Sequence, residues 1–359
     1  MSGAMPLAFM LAGGTGGHVY PALAVALELR ERGFTLRWIG TSRGLESRVV
    51  SAAEIPLHEL PMRGLRGKGL LQKCWGAALL MLSTVLSLWI MLRYRPALVV
   101  GMGGYASFPA AIAAWVTRRP LMLQEQNAVP GSANKALATF SSAIATGFPA
   151  VLSDFAVTRY LGNPVRADLV DVAQNSPWQR RNEGPLRVSV MGGSLGARPL
   201  NEALPGIAAV LQDRCVWRHQ CGPQHEETTR EAYTAAGVRD CQVEAYVEDM
   251  AAMYAWSDLV ICRAGALTVA ELAVTGRPAI LIPLPYAIDD HQTANAAFLA
   301  DAGAAVLLPQ DDMAARLHSE ILSLLDDVAL LPAMSAAALR RGKPAATQDI
   351  ADYAQATAQ

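Results

Sequence analysis

The chain has 359 residues, enough for two domains rather than one. Apolar residues make up 52% and charged residues 17%, with 30 basic against 31 acidic side chains, so no global charge draws it to nucleic acid. Five cysteines without a CxxC pair fit neither a zinc site nor a disulfide frame, and point to a reducing cytosol.

The first apolar run, Leu7–Leu11, reads as a strand and not a signal peptide, because it lacks a basic lead and stops at a glycine loop. That loop, Gly13-Gly14-Thr15-Gly16-Gly17-His18, leads into a helical run from Pro21 to Arg32. Its glycines keep side-chain bulk off the helix start, so backbone N–H groups can touch an anion or a sugar. It is not a GxGxxG, whose sixth place would be Val19, and it lacks the GK[ST] of a P-loop. His18 stands where loop becomes helix, a place that suits a neutral imidazole able to accept a proton. A capping or packing histidine is the alternative.

Strands are then expected over 36–39, 57–60, 97–100, 121–123 and 143–146, with helices over 45–53 and 108–116. The strand at 97–100 runs into a second glycine loop, Gly101-Met102-Gly103-Gly104-Tyr105. Strands separated by helices imply a parallel sheet covered on both faces. The segment from Pro61 to Pro96 stands apart. Arg63, Arg66, Lys68 and Lys73 lie among glycines, Cys74–Leu92 carries no charge over 19 residues, and Arg93 and Arg95 close the run. At about 1.5 Å per residue it is long enough for a ~30 Å hydrocarbon core. A span would set two strands of one sheet on opposite sides of the bilayer. A buried crossover helix and an interfacial helix facing lipid remain, and Trp75 and Trp89 near its ends favour the second.

Asn163-Pro164-Val165-Arg166 ends the first domain, and the polar stretch from Asp168 to Pro185 reads as a linker or domain-entry loop. Strands are expected next over 187–191, 216–220, 242–244, 259–262, 279–282 and 305–308. Helices are expected over 201–212, 224–236 and 291–302, with an alanine-rich helical end from Met313. The first of these strands enters Gly192-Gly193-Ser194-Leu195-Gly196-Ala197, which sets Ser194 in correspondence with Thr15, 179 residues earlier.

Polar clusters stand where these elements meet. In Cys262–Glu271 a helix starts near Gly265. N–H groups around Ala266–Thr268 suit a phosphate, and Glu271 can accept both hydroxyls of a ribose or simply complement the helix dipole. In Pro283–Asn295 a proline-rich loop enters a helix capped by Asp289 or Asp290. Gln292 and Asn295 share a face there, and amides suit sugar hydroxyls, with ordinary capping the alternative. Gln124-Glu125-Gln126-Asn127 and Tyr105 follow strands, at the end where open α/β sheets bind ligands.

Together GGTGGH (13–18), GMGGY (101–105), EQN (125–127), GNPVR (162–166), GGSLGAR (192–198), CRAGALTVAE (262–271) and DDHQTANA (289–296) closely resemble the MurG family. Its members are UDP-N-acetylglucosamine–undecaprenyl-diphosphate-MurNAc-pentapeptide GlcNAc transferases of bacterial cell-wall synthesis. The resemblance implies a GT-B fold, two Rossmann-like α/β domains with parallel sheets facing a cleft. An acceptor domain over 1–163 and a donor domain over 164–341 would be followed by a helical tail, 342–359, packed back on the first.

Carried over by motif, Thr15, Gly16 and Gly17 would lie against donor and acceptor, with Tyr105 also at substrate. Asn127 and Arg166 would contact the donor sugar or its diphosphate, and Ser194 the diphosphate. Val247 would give backbone bonds to uracil. Ala266, Leu267, Thr268, Val269, Ala270 and Glu271 would hold phosphate and ribose, and Gln292 the hydroxyls of GlcNAc. The chain departs from the family at Gln124, often a histidine, and at Leu195, a glutamine in some members.

The implied reaction inverts the anomeric centre, with His18 as base and Glu125 as second choice. No Asp-x-Asp pair offers a metal site, so no tightly bound cofactor is expected and a divalent metal is at most stimulatory. Expected partners are UDP-GlcNAc, the lipid I acceptor, an anionic membrane surface through about 63–95, and other cell-wall synthesis proteins. The expected location is peripheral, on the cytoplasmic face of the inner membrane. The rival readings are a UDP-GlcNAc 2-epimerase, a GT-B enzyme with another lipid acceptor, and a non-catalytic nucleotide-sugar-binding subunit.

Overall fold

A computed structural model describes residues 5–14, 16–41, 44–62, 70–180 and 184–359. Thr15 and the basic positions Arg63, Arg66 and Lys68 lie outside the described residues. The chain divides into two compact units, Met1–Pro164 with Ala345–Gln359, and Val165–Pro344.

The first unit runs β1 (Leu7–Leu11), α1 (Gly16–Glu31), β2 (Thr35–Gly40), α2 (Leu45–Ala52), β3 (Leu57–Glu59), α3 (Leu70–Tyr94), β4 (Leu98–Gly101), α4 (Phe108–Val116), β5 (Leu121–Glu125), α5 (Ser132–Leu137), β6 (Ala143–Thr146) and β7 (Thr158–Tyr160). Every strand pair is parallel, in the order β3-β2-β1-β4-β5-β6-β7. Strand β1 shows why both faces are covered. Its period of two sends Ala8 and Met10 into one core with α1, and Phe9 and Leu11 into the other with α4. Strand order reverses between β1 and β4, so a crevice opens beyond their carboxyl ends. The sequence did not signal β7 or α5, which are too short and too polar to stand out.

Helix α3 is buried only along a stripe. Gly76, Ser83, Ser87, Ile90 and Met91 are covered, and the helix packs against alanine-rich α4. Helix α4 has 9 residues and covers one side. Trp75, Met81, Val85 and Trp89 stay 60–67% exposed. Of the two readings left open, the wholly buried crossover helix does not hold: half of residues 75–92 are exposed.

The second unit runs α6 (Ala167–Asn175), β8 (Leu186–Met191), α7 (Arg198–Val210), β9 (Cys215–Gln220), α8 (Glu226–Ala235), β10 (Cys241–Glu244), α9 (Met250–Trp256), β11 (Leu259–Cys262), α10 (Ala266–Thr275), β12 (Ala279–Leu281), α11 (His291–Ala300), β13 (Ala305–Leu307), α12 (Met313–Asp326) and α13 (Leu330–Arg341). Its parallel sheet is ordered β10-β9-β8-β11-β12-β13, with the reversal between β8 and β11. The expected linker over 168–185 is corrected at its start. Leu169 and Val172, three residues apart, are buried, and α6 packs on α9 and α10. The polar composition concealed a helix with one apolar side.

The last helix, α14 (Ala346–Thr357), belongs to the first unit. It packs on α1, with Ile350, Ala351 and Ala354 fully buried. Tyr353 Oη donates to the Val157 carbonyl at 2.6 Å.

Candidate active site

In the first unit the loops after β1 and β4 interlock. Gly104 has φ +83°, and a Cβ there would stand 2.6 Å from the Gly13 carbonyl oxygen. A Cβ on Gly103 would meet the His18 ring at 3.2 Å. Beneath them Glu46, in the first turn of α2, is buried. Its carboxylate accepts from Gly14 N (3.1 Å), Thr41 N (2.8 Å) and Thr41 Oγ1 (2.7 Å). An acid from the next helix thus fixes the shape of the glycine loop.

His18 lies in the first turn of α1, half-buried, with Nδ1 3.1 Å from Gln126 Oε1. Gln126 Nε2 donates to the Met102 carbonyl at 2.8 Å and to Gln124 Oε1, which fixes the amide with its oxygen toward His18. An amide oxygen only accepts. Nδ1 therefore carries the ring proton, and in the neutral imidazole Nε2 is the acceptor.

Gln124 is fully buried and donates from Nε2 to Asn163 Oδ1 at 3.0 Å, while Asn163 Nδ2 donates to the Gln126 carbonyl at 2.9 Å. These amides form the floor of the site. Glu125 is equally buried and already accepts from Asn127 N (2.9 Å), Gly131 N (3.0 Å) and Asn134 Nδ2 (2.9 Å). It shapes the 126–131 turn and so positions Asn127, which is half-buried. Tyr105 is exposed beside the second glycine loop, and Gly16 and Gly17 open α1.

In the second unit Gly193 (φ +85°) and Gly196 (φ +77°) turn the chain between β8 and α7, leaving Ser194 and Leu195 exposed. Gln220 Nε2 holds this loop by donating to the Gly193 carbonyl at 2.9 Å. Across the strand reversal, Gly265 caps α10 in an extended conformation. Leu267, Thr268 and Ala270 are partly open, Ala266 is buried, and the Val269 side chain belongs to the core.

Glu271, one turn on, accepts from Tyr254 Oη at 2.9 Å. Desolvation pushes its carboxyl up to about 7, against the Tyr254 hydrogen bond and the charge of Arg166. Arg166, capping α6, is therefore brought to Glu271, with Asp168 3.7 Å from its Nε. Val247 is buried beyond β10. Gln292 Oε1 accepts from Leu284 N at 3.0 Å, and buried Asn295 donates to the Ala264 carbonyl at 3.2 Å. Asp290 stands at the N-cap of α11, as expected, but makes no side-chain cap bond. Asp290 has a left-handed backbone (φ 49°), and its carboxylate accepts from Thr293 Oγ1 at 2.7 Å instead of from a helix N–H.

Sequence reasoning missed Glu46, Asn134, Asn163 and Tyr254. Each acts through a partner at least 9 residues away, and none sits in a repeated pattern. Asn163 carried the one usable signal, a place within the GNPVR motif.

Residues 8–146 match the glycosyltransferase family 28 N-terminal domain, and residues 187–352 the family 28 C-terminal domain. A protein of Alkalilimnicola ehrlichii named UDP-N-acetylglucosamine--N-acetylmuramyl-(pentapeptide) pyrophosphoryl-undecaprenol N-acetylglucosamine transferase is 49% identical over 97% of each chain. One of the same name from Thiobacillus denitrificans is 47% identical over the whole of both. The crystal structure of Acinetobacter baumannii MurG superposes with a TM-score of 0.82 at 36% identity, covering 98% of this chain and 99% of that one. A UDP-GlcNAc 2-epimerase from Neisseria meningitidis bound to UDP-GlcNAc reaches 0.66 at 14% identity, covering 97% and 99%, and shares the fold alone. With both domains in order and identity sustained along its length, the chain belongs to the MurG family of glycosyltransferases.

Proposed function

We propose that the chain moves N-acetylglucosamine from UDP-N-acetylglucosamine to the 4-hydroxyl of undecaprenyl-diphospho-MurNAc-pentapeptide, with inversion. The observation that carries this reading is identity of 47–49% to two transferases of that name over nearly their whole length. The acceptor oxygen bonds the anomeric carbon, the bond from that carbon to the β-phosphate oxygen breaks, and UDP leaves with the electron pair. His18 Nε2 takes the hydroxyl proton; the proton on Nδ1, fixed by Gln126, supports that role. Glu125 is the weaker candidate, because three N–H groups already engage its carboxylate. On the donor side the loop at Ser194, the start of α10 and Arg166 meet the diphosphate. Glu271 takes the ribose, Val247 the uracil and Gln292 the sugar. Fixed N–H donors of this kind are each worth about 3–4 kcal/mol in a transition state.

The polyprenyl acceptor stays in a bilayer, so the enzyme works at the cytoplasmic face of the inner membrane. The open face of α3, with Trp75, Met81, Val85 and Trp89, supports docking there as an interfacial helix. The test is transfer of labelled GlcNAc to a short-chain lipid I analogue beside a control without acceptor. Acceptor-dependent β-linked disaccharide is expected, and it should persist in EDTA. Epimerised sugar without acceptor would overturn the reading in favour of the isomerase. Flotation with anionic vesicles tests the docking: replacing Trp75 and Trp89 by serine should release the protein without lowering turnover on the soluble analogue.

A further inference from the structure

A second set of buried polar groups lies behind the Ser194 loop. His219, on β9, is fully buried. Its Nε2 is 3.0 Å from Asn201 Oδ1, and its Nδ1 is 2.9 Å from Tyr233 Oη. Asn201, in the first turn of α7, passes the chain on: its Nδ2 donates to the Cys221 carbonyl at 3.0 Å. A carbonyl only accepts, so the Asn201 nitrogen is fixed toward Cys221 and its oxygen toward His219. His219 Nε2 must then donate. Burial holds the ring neutral, its pKa lowered to about 3, so Nδ1 accepts from Tyr233. Every donor and acceptor in this chain has one direction.

The far end of the chain is the surface on which the loop rests. A Cβ on Gly196 would stand 1.8 Å from the Cys221 carbonyl oxygen, and a Cβ on Gly222 would stand 2.4 Å from that of Leu195. The loop therefore has no slack against the Cys221–Gly222 turn. A change in where the Cys221 carbonyl sits moves Leu195 and Gly196, and with them Ser194.

We propose that His219 is a positioning residue for the donor: it orients the Asn201 amide, which anchors the Cys221 carbonyl and so sets the Ser194 loop to receive the diphosphate. This rests on the reading of that loop as the diphosphate site. The histidine touches no substrate, and its effect is on donor binding rather than on the chemical step.

The test contrasts two substitutions of similar size. Glutamine in place of His219 puts its amide nitrogen near the position of Nε2 and keeps the donor to Asn201. Asparagine reaches only the position of Nδ1, keeping Tyr233 and dropping Asn201. H219N should weaken UDP binding and raise the KM for UDP-GlcNAc about tenfold, with kcat within about twofold. H219Q should stay within about twofold of the parent in both. The loss in H219N should not add to that in N201S, since both break one chain. Equal UDP affinity in H219N and H219Q, with both folded by thermal melt, would overturn the proposal, as would full additivity with N201S. Ser194→Ala is the separate control. If it leaves UDP affinity unchanged, the reading of the loop fails; if it weakens UDP while H219N does not, the role of His219 fails.

Discussion

The two glycine loops occupy matching places in their sheets, yet they are held by different chemistry. The first rests on a buried carboxylate, Glu46, which takes the N–H of Gly14. The second rests on neutral groups, the amides of Gln220 and Asn201 and the Cys221 carbonyl. A phosphate at the first loop would find one N–H taken and a negative charge behind it. Among the described residues, the groups that hold the second loop are neutral. The loops share one steric setting, for a Cβ on Gly14 or on its counterpart Gly193 would touch nothing within 4 Å; in the second loop a Cβ on Gly196 would strike backbone. Chemistry is placed unequally as well, for the position corresponding to His18 in the second loop is Ala197. On the function proposed above, one backbone motif would seat a proton acceptor in one unit and cradle an anion in the other.

The strongest way to break this comparison is at His18. His18→Ala should lower kcat by about 10²–10⁴-fold while leaving UDP affinity unchanged, read by steady-state kinetics and titration calorimetry. Normal turnover in that variant would remove the asymmetry of function. Gly196→Ala comes next. It should abolish measurable UDP binding, whereas Gly14→Ala, at φ +97° in open space, should cost only about 1–2 kcal/mol in a urea melt. Parent-like UDP binding in Gly196→Ala would show that the second loop is not clamped.

Glu46→Gln sharpens the electrostatic half of the comparison. It leaves Thr41 or Gly14 facing an N–H instead of an oxygen, and should cost about 1–3 kcal/mol of stability. A cost below about 0.5 kcal/mol would show that the carboxylate does not hold the loop.

The smallest effect is a pH dependence. In the role proposed for it Glu271 would need its charge to accept two ribose hydroxyls, so donor KM should fall about tenfold as pH rises from 6 to 8, through the value of about 7. Stability of the unliganded protein runs the other way. A carboxyl raised above its ordinary 4.5 favours the folded state while protonated, so that contribution is lost as pH rises from 4.5 through about 7. Glu271→Gln should flatten both trends; a donor KM that keeps its slope would assign the titration elsewhere.

All strands but β7 were readable, because apolar runs at element boundaries are local signals. So were both glycine loops and the acid at Glu271, each tied to an element boundary. Glu46 and His219 were not, for a physical reason. A buried polar residue is explained only by its partner, and Glu46 meets Gly14 from 32 residues away while His219 meets Asn201 from 18 and Tyr233 from 14. Composition misled twice. It hid α6 inside a polar stretch, and it left open whether the apolar run of α3 was buried, where only packing against a short neighbour decides.

The return of α14 to the first unit has a consequence for the order in which the protein is made. Seven strands of the first unit leave the ribosome early, but the helix that covers one side of its core follows roughly 195 residues later. At about 5–20 residues per second the gap lasts roughly 10–40 s. During that time the groove that will hold Ile350, Ala351 and Ala354 stands open on a sheet already able to form. The first unit must wait for its last helix, while the second unit, whose elements are contiguous, can close without waiting.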